Sequence, residues 1–181
     1  MSAFVLRVSG LGKAFREYRS EWQRTLSWFG VSIRPTAEHW VLRGVSFSVA
    51  PGEAVGIVGP NGAGKSTLMQ IVVGLLKRDA GEVARSGRLG YCPQVPMLWD
   101  KLTVDEHFEL FARAYGLEDE QRERAVAGLL AELQFGKYRS YRIEELSGGT
   151  RQKLNLGLAL MHEPQLLLLD EPYAGFDWET Y

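Results

Sequence analysis

Apolar and polar positions follow two rhythms along this chain, and the rhythms assign most of its elements. Phe4–Val8 and Val45–Val49 alternate with a period of two, which predicts strands with one buried face. Ala54–Val58, after the Pro51-Gly52 turn, and Leu166–Leu169, between Pro164 and Pro172, are short unbroken apolar runs that predict buried strands. Ser66–Val73 reads as a helix. Thr103 and Glu106 have the spacing of a capping box, opening a helix that carries Val104, Phe108, Phe111 and Tyr115. A helix from about Asp119 to Leu133 sets Val126, Leu129, Leu130 and Leu133 on one face. Glu118–Arg122 and Glu120–Arg124 form i,i+4 pairs on its wet side. Leu146–Thr150 opens a third helix, which Pro164 ends. Ser9–Gly12 and Lys77–Gly81 read as turns, and Glu82–Ala84 with Arg88–Cys92 as a hairpin around Ser86-Gly87, stopped by Pro93-Gln94.

Between the first two strands, roughly Arg16 to His39, Tyr18, Trp22, Leu26 and Phe29 recur at helical spacing among Arg16, Arg19, Glu21 and Arg24. An amphipathic helix there could meet a membrane surface or membrane partner. Packing on its own sheet is the more ordinary meaning of such a face, and is favoured.

Composition narrows the field. A chain of 181 residues is expected to form one domain. Its 21 Lys plus Arg against 22 Asp plus Glu give a net charge of −1, which argues against a nucleic-acid surface. The single cysteine, Cys92, excludes an internal disulfide or a multi-cysteine metal site and suits a reducing compartment. No apolar run approaches the roughly 18 residues needed to span a bilayer, and the N-terminus does not read as a signal peptide.

The chemistry concentrates at Gly59-Pro-Asn-Gly-Ala-Gly-Lys-Ser-Thr67. Gly59, Gly64, Lys65 and Ser66 fit the phosphate-loop pattern, set between a predicted strand and a predicted helix. Such a loop aims backbone N–H groups at phosphates, backed by the helix N-terminus. Lys65 would reach the β- and γ-phosphates, and the Ser66 hydroxyl would hold Mg²⁺. Asp170 and Glu171 lie at the C-terminal edge of the Leu166–Leu169 strand, where ligands of open α/β sheets collect.

With these pieces in order, the chain resembles the nucleotide-binding domain of ABC transporters over nearly its whole length. The resemblance rests on the phosphate loop, Gln94, Leu146-Ser-Gly-Gly149, Asp170-Glu171-Pro172 and Gly175-Phe-Asp177. It implies an α/β fold: a P-loop NTPase core with a mostly parallel central sheet, an N-terminal antiparallel β portion and an inserted helical subdomain. The expected division is a core part over 1–93 with the aromatic insert at about 16–39, a helical subdomain over 94–162, and the Asp170 strand with its following loop over 163–181.

The same resemblance implies ATP with Mg²⁺. Gly59, Pro60, Asn61, Gly62, Ala63, Gly64, Lys65, Ser66 and Thr67 are matched to the phosphate cradle. Ser66, Gln94 and Asp170 are matched to the metal, and Glu171, with Gln94 and Lys65, to hydrolysis. Ser147, Gly148 and Gly149 match the signature that meets the γ-phosphate held by a second subunit, and Asp177 matches the following loop. Phe15 is the expected adenine platform, with Trp40 in reserve. The implied partners are a second nucleotide-binding subunit, as a head-to-tail homodimer, and a membrane-spanning permease at the cytoplasmic face of the membrane. Export of drug, lipid or polysaccharide is the expected task, and a soluble ABC-type ATPase or a non-hydrolysing regulatory module is the alternative. Thr150 stands where the family more often has glutamine. The family's switch histidine would lie beyond Tyr181, so the chain by itself is expected to bind nucleotide and hydrolyse it poorly.

Overall fold

The computed structural model describes residues 4–18, 22 and 36–172. The chain is organised as two compact units, Met1–Arg85 and Ser86–Tyr181.

The first unit is built on a three-stranded antiparallel sheet in the order β2-β1-β3, with β1 Leu6–Glu17, β2 Ala37–Val49 and β3 Ala80–Arg85. Leu6, Val8, Leu11 and Ala14 give β1 its buried face. Both N-terminal strands are longer than their alternation predicted. The expected turn at Ser9–Gly12 is a bulge inside β1, where the register with β2 shifts between Val8 and Leu11 and again before Lys13. Gly10 sits at φ +58°, and its N–H donates to Ser46 Oγ at 2.8 Å. An extra residue absorbed in this way lets the ladder resume rather than end.

The edges of the predicted aromatic insert are strand as well. Arg16 pairs with Glu38 and Glu17 with Ala37, so Arg16–Glu17 and Ala37–His39 extend the β1–β2 ribbon. Leu26 and Phe29 of that expected helix lie outside the described residues, as do residues 19–21 and 23–35 in general, and Trp22 is exposed.

Two further expectations fail in this unit. Glu82–Ala84 does not turn back on Arg88–Cys92: β3 pairs with β1, Leu6 opposite Arg85 and Val8 opposite Val83. Nor is Ala54–Val58 a buried strand. It has no strand partner among the described residues, and Val55 is 48% and Val58 97% exposed. An apolar run supplies the burial tendency, but the strand itself requires neighbours to take its N–H and C=O groups.

Helix α1, Lys65–Val73, buries Leu68, Ile71 and Val72 and ends at Gly74, whose N–H donates to Gln70 and Ile71 carbonyls. Arg85 Nη1 donates to the Val72 carbonyl at 2.7 Å, placing a cation at the negative end of the helix.

The second unit pairs β4, Leu89–Cys92, in parallel with β5, Leu166–Leu169. The predicted parallel strand is therefore real, but β4 is its one partner among the described residues rather than one of two. Three helices follow the predicted order: α2 Val104–Ala114, α3 Asp119–Glu132 and α4 Gly148–Leu160. Phe108, Leu129, Phe135, Ile143, Leu154 and Leu158 lie at the heart of one buried cluster drawn from all three and from the loops between them.

The capping box of α2 forms as predicted. Thr103 N–H donates to Glu106 Oε2 at 2.7 Å and Glu106 N–H to Thr103 Oγ1 at 3.2 Å. The Thr103 N–H bond holds the Glu106 carboxyl below its ordinary range. On α3 the Glu120–Arg124 pair forms at 3.7 Å, but Arg122 passes over Glu118. It reaches Asp119 at 2.9 Å and Glu109 of α2 at 2.6 Å instead. Glu118 caps α3 with Gln121, which removes it from that pairing.

Two histidines are locked into this unit. His107 is fully buried, its Nε2 accepting the Trp99 N–H at 3.0 Å and its Nδ1 paired with the Thr103 carbonyl at 2.8 Å. Those partners fix the neutral ring with hydrogen on Nδ1, and burial pushes its pKa down. His162 bonds the Leu89 carbonyl through Nε2 at 2.9 Å and stacks on Tyr115 at 3.9 Å between centroids. Its Nδ1 is buried without a partner, and burial lowers its pKa too.

Candidate functional site

The phosphate loop lies in the first unit. No side chain caps the N-terminus of α1, and the first helical bond runs from Leu68 N–H to the Gly64 carbonyl at 2.9 Å. A helix opening on backbone donors without a capping side chain is suited to an anion. Gly64 makes the entry possible: it lies at φ +91°, and a Cβ there would meet Val41 Cγ1 at 2.7 Å. Any other residue would be strained twice over, by its dihedral and by the β2 side chain.

Lys65 bends its ammonium back over the loop, donating to the Gly59 carbonyl at 2.9 Å and the Pro60 carbonyl at 3.2 Å. Ser66 and Thr67 are half-buried in the first turn, whereas Pro60, Asn61, Gly62 and Ala63 are exposed along the loop. These groups fit a polyphosphate: backbone donors, one cation and a hydroxyl gathered on one turn.

The two aromatic candidates differ in position. Ala14 is paired with Trp40 and Phe15 with His39, so the alternation of side chains puts Phe15 and Trp40 on opposite faces of the ribbon. Trp40 packs against Gly12 and donates from Nε1 to Glu38 Oε2 at 3.1 Å. Phe15 is 46% exposed, with Lys13 Nζ 5.6 Å from its ring centroid. Of the two rings, that of Phe15 is the more exposed.

Asp79 holds this strand in place, and sequence reasoning missed it. It accepts the Ala14 N–H at 3.0 Å and pairs with Lys13 at 3.0 Å and Arg16 at 3.2 Å. Burial disfavours the charged carboxylate, but the Ala14 N–H, Lys13 and Arg16 outweigh that and hold its pKa below the ordinary value. A lone aspartate in a predicted turn gave no signal of partners more than sixty positions away.

In the second unit, Gln94 Nε2 donates to Glu171 Oε2 at 2.7 Å, joining two residues that the sequence separates by 77 positions. Asp170 is 3% exposed at the end of β5, its N–H donating to the Cys92 carbonyl at 2.9 Å. Glu171 turns away from it at φ +49°. Burial, then the charge of Asp170, pushes the Cys92 thiol up to about 11, so this cysteine is a neutral packing group.

Helix α4 anchors the start of the Gln94 loop. Asn155 Nδ2 donates to the Pro93 carbonyl at 2.9 Å and lies 3.2 Å from Cys92 Sγ, with Gln152 Nε2 3.8 Å from the same sulfur. Gln152 and Asn155 are polar, i and i+3 on one face, and buried. That spacing was the available signal, and sequence reasoning passed over it.

Ser147 is the N-cap of α4, its Oγ accepting the Thr150 N–H at 3.2 Å, while Gly148 is exposed and Gly149 half-buried behind it. Arg151 clamps the preceding turn, donating from Nε to the Ile143 and Leu146 carbonyls at 3.0 and 3.2 Å. Asp177 lies outside the described residues. Phe15 and Gly59–Thr67 thus belong to the first unit, and Gln94, Ser147–Gly149, Asp170 and Glu171 to the second.

A glycine-built phosphate loop opening an uncapped helix, with a carboxylate pair ending a parallel strand, defines a nucleotide-binding α/β protein. The ABC transporter family matches residues 42–174, and the chain belongs to it. Among curated relatives, it is 35% identical over 149 residues to the linearmycin resistance ATP-binding protein LnrL of Bacillus subtilis, covering 76% of this chain and 48% of that protein. It is 37% identical over 150 residues to the Nod factor export ATP-binding protein I of Rhizobium etli, covering 76% of this chain and 47% of that protein. A solved ATP-binding subunit of an ABC transporter superposes with a TM-score of 0.77 at 31% identity, over 96% of this chain and 68% of that one. The chain spans about half the length of these two bacterial relatives. Mixed α/β architecture with an antiparallel N-terminal sheet is thereby established, as is its place among ABC transporter ATP-binding proteins.

Proposed function

We propose that the chain binds and hydrolyses ATP for an ABC exporter, as one half of a head-to-tail pair of nucleotide-binding subunits joined to membrane-spanning partners. Export fits relatives whose names specify antibiotic resistance and Nod factor export, and drug, lipid or polysaccharide is the substrate range proposed. No helix among the described residues is long and apolar enough to cross a membrane, so attachment to its cytoplasmic face would run through the partner.

The observation that carries hydrolysis is the Gln94–Glu171 hydrogen bond. It joins the residue proposed to sense the γ-phosphate to the carboxylate proposed to take a proton from the attacking water. In this reading Phe15 stacks on adenine, the Gly59–Thr67 backbone cradles the phosphates, and Lys65 leaves its loop carbonyls to reach them. Ser66, Gln94 and Asp170 would hold Mg²⁺, which when bound would offset phosphate charge. Gly148 and Gly149 would leave the backbone of the first turn of α4 open to a second subunit's γ-phosphate, with Ser147 as its hydroxyl donor. Asp177 would follow Glu171 at the same junction.

Two variants of the whole protein test this. Lys65→Ala is expected to lose Mg-ATP binding by titration calorimetry. Glu171→Gln is expected to retain binding while turnover falls about 10²–10⁴-fold, and to accumulate an ATP-bound dimer by light scattering. Parental turnover in Glu171→Gln would remove that residue as the base, and parental affinity in Lys65→Ala would remove the phosphate loop from the mechanism.

A further inference from the structure

Thr150, the position where the resemblance expects glutamine, is built against the cap of α4. Ser147 Oγ accepts the Thr150 N–H at 3.2 Å and lies 2.7 Å from Thr150 Oγ1. A serine hydroxyl offers two acceptor positions and one donor hydrogen. The Thr150 amide takes one acceptor position, and the Thr150 hydroxyl is at the distance to take the second. The hydrogen of Ser147 then has one direction left, away from the helix. Ser147 is exposed there, ahead of Gly148, at whose Cβ position no atom lies within 4 Å.

We propose that Thr150 is a positioning residue: its hydroxyl donates to Ser147 Oγ and thereby aims the Ser147 hydrogen at an oxyanion, the γ-phosphate presented by a second copy of the chain. This rests on the signature role given to Ser147 above. The opposite polarity, Ser147 donating to Thr150, would turn oxygen lone pairs toward the anion and repel it. The anion therefore selects the order Thr150 to Ser147 to phosphate, and in such a chain each bond polarises the next. Threonine suits the task because its backbone N–H and its hydroxyl reach the same oxygen from one helical turn.

The test compares ATPase kinetics of the whole protein with its membrane partners in four variants. Thr150→Val keeps the shape and removes the hydroxyl, Thr150→Ser keeps the hydroxyl, Ser147→Ala removes the donor, and the fourth combines Ser147→Ala with Thr150→Val. Thr150→Val is expected to lower kcat/KM for ATP about three- to tenfold, the worth of losing one preferred hydroxyl orientation and its polarisation. Thr150→Ser is expected to restore it, and the double variant to be no worse than Ser147→Ala alone. Melting temperature should not separate Thr150→Val from Thr150→Ser, since both keep the capping N–H. Parental kcat/KM in Thr150→Val, beside a loss in Ser147→Ala, overturns this inference alone. A double variant whose loss equals the product of the single losses overturns it too, because Thr150 would then act independently of Ser147. Full activity in Ser147→Ala marks failure of the signature reading itself and takes the inference with it.

Discussion

Two short apolar runs, Ala54–Val58 before the phosphate loop and Leu166–Leu169 before Asp170, carry the same signal in sequence and meet different fates. Leu166–Leu169 lies in register beside Leu89–Cys92, with Leu166 and Leu168 buried. Ala54–Val58 has no strand partner among the described residues, and Val58 is almost wholly exposed. Runs of this kind report the wish to leave water, whereas pairing depends on a second segment of matching length arriving beside them. In the second unit the chain supplies that segment, and α4 covers it.

Stability measurements sharpen the contrast, beginning with the largest effect. Phe108 is 3% exposed in the cluster of the second unit, and Phe108→Ala is expected to cost about 3–5 kcal/mol through lost burial and the cavity left behind. Val58→Ala is expected to stay within about 0.5 kcal/mol, the usual range for a surface change. Denaturant titrations of both variants check this. A Val58→Ala cost as large as that of Phe108→Ala would show the first run to be buried.

A smaller effect separates the glycines of the two regions. A Cβ at Gly90 of β4 would run into the Ala159 carbonyl oxygen and lie 2.9 Å from Pro164 Cγ, whereas at Gly56 it would meet nothing within 4 Å. Gly90→Ala is expected to destabilise by about 1–3 kcal/mol through overpacking. Gly56→Ala is expected to be neutral or to stabilise by up to about 1 kcal/mol through the unfolded chain. Thermal melts of the two variants side by side decide it, and equal melting temperatures would remove the difference in packing.

The smallest effect is in the response to pH. His107 and His162 of the second unit are held below their ordinary value of 6.5 by burial, so the unfolded chain takes up protons first as pH falls. Their contribution is complete above about 6.5 and declines as pH falls from there toward the depressed native values. Asp79 of the first unit has a pKa lowered from 3.8, so its contribution is complete above about 4 and is lost only below that. Urea unfolding between pH 7.5 and 5.5, followed by far-ultraviolet circular dichroism, is expected to show midpoints falling with pH, with a flatter slope in His107→Gln. The same slope in both proteins would remove His107 as its source.

Much of the candidate site was legible in the sequence. The glycines and Lys65-Ser66 marked out a candidate phosphate loop because the backbone approach that a phosphate needs tolerates few other residues. Thr103 and Glu106 gave the start of α2 because a capping box is a contact between residues three apart. The hairpin expected at Ser86-Gly87 failed for the opposite reason. Two strands joined by a good turn still pair with whichever segments the fold brings beside them, and here β3 went to β1 and β4 to β5.

The sequence by itself therefore determined what is local: helix starts, the phosphate loop, the signature cap and the chemical types at the candidate site. Tertiary structure alone decided the long-range pairings. It tied Asp79 to Lys13, Arg16 and the Ala14 N–H, set Phe15 rather than Trp40 on the open face, and brought Gln94 onto Glu171. Each of these joins residues far apart in the chain, and no local preference encodes them. They form because the folded chain has already met the entropic cost of bringing the segments together, after which a charge or an amide needs only to find its partner.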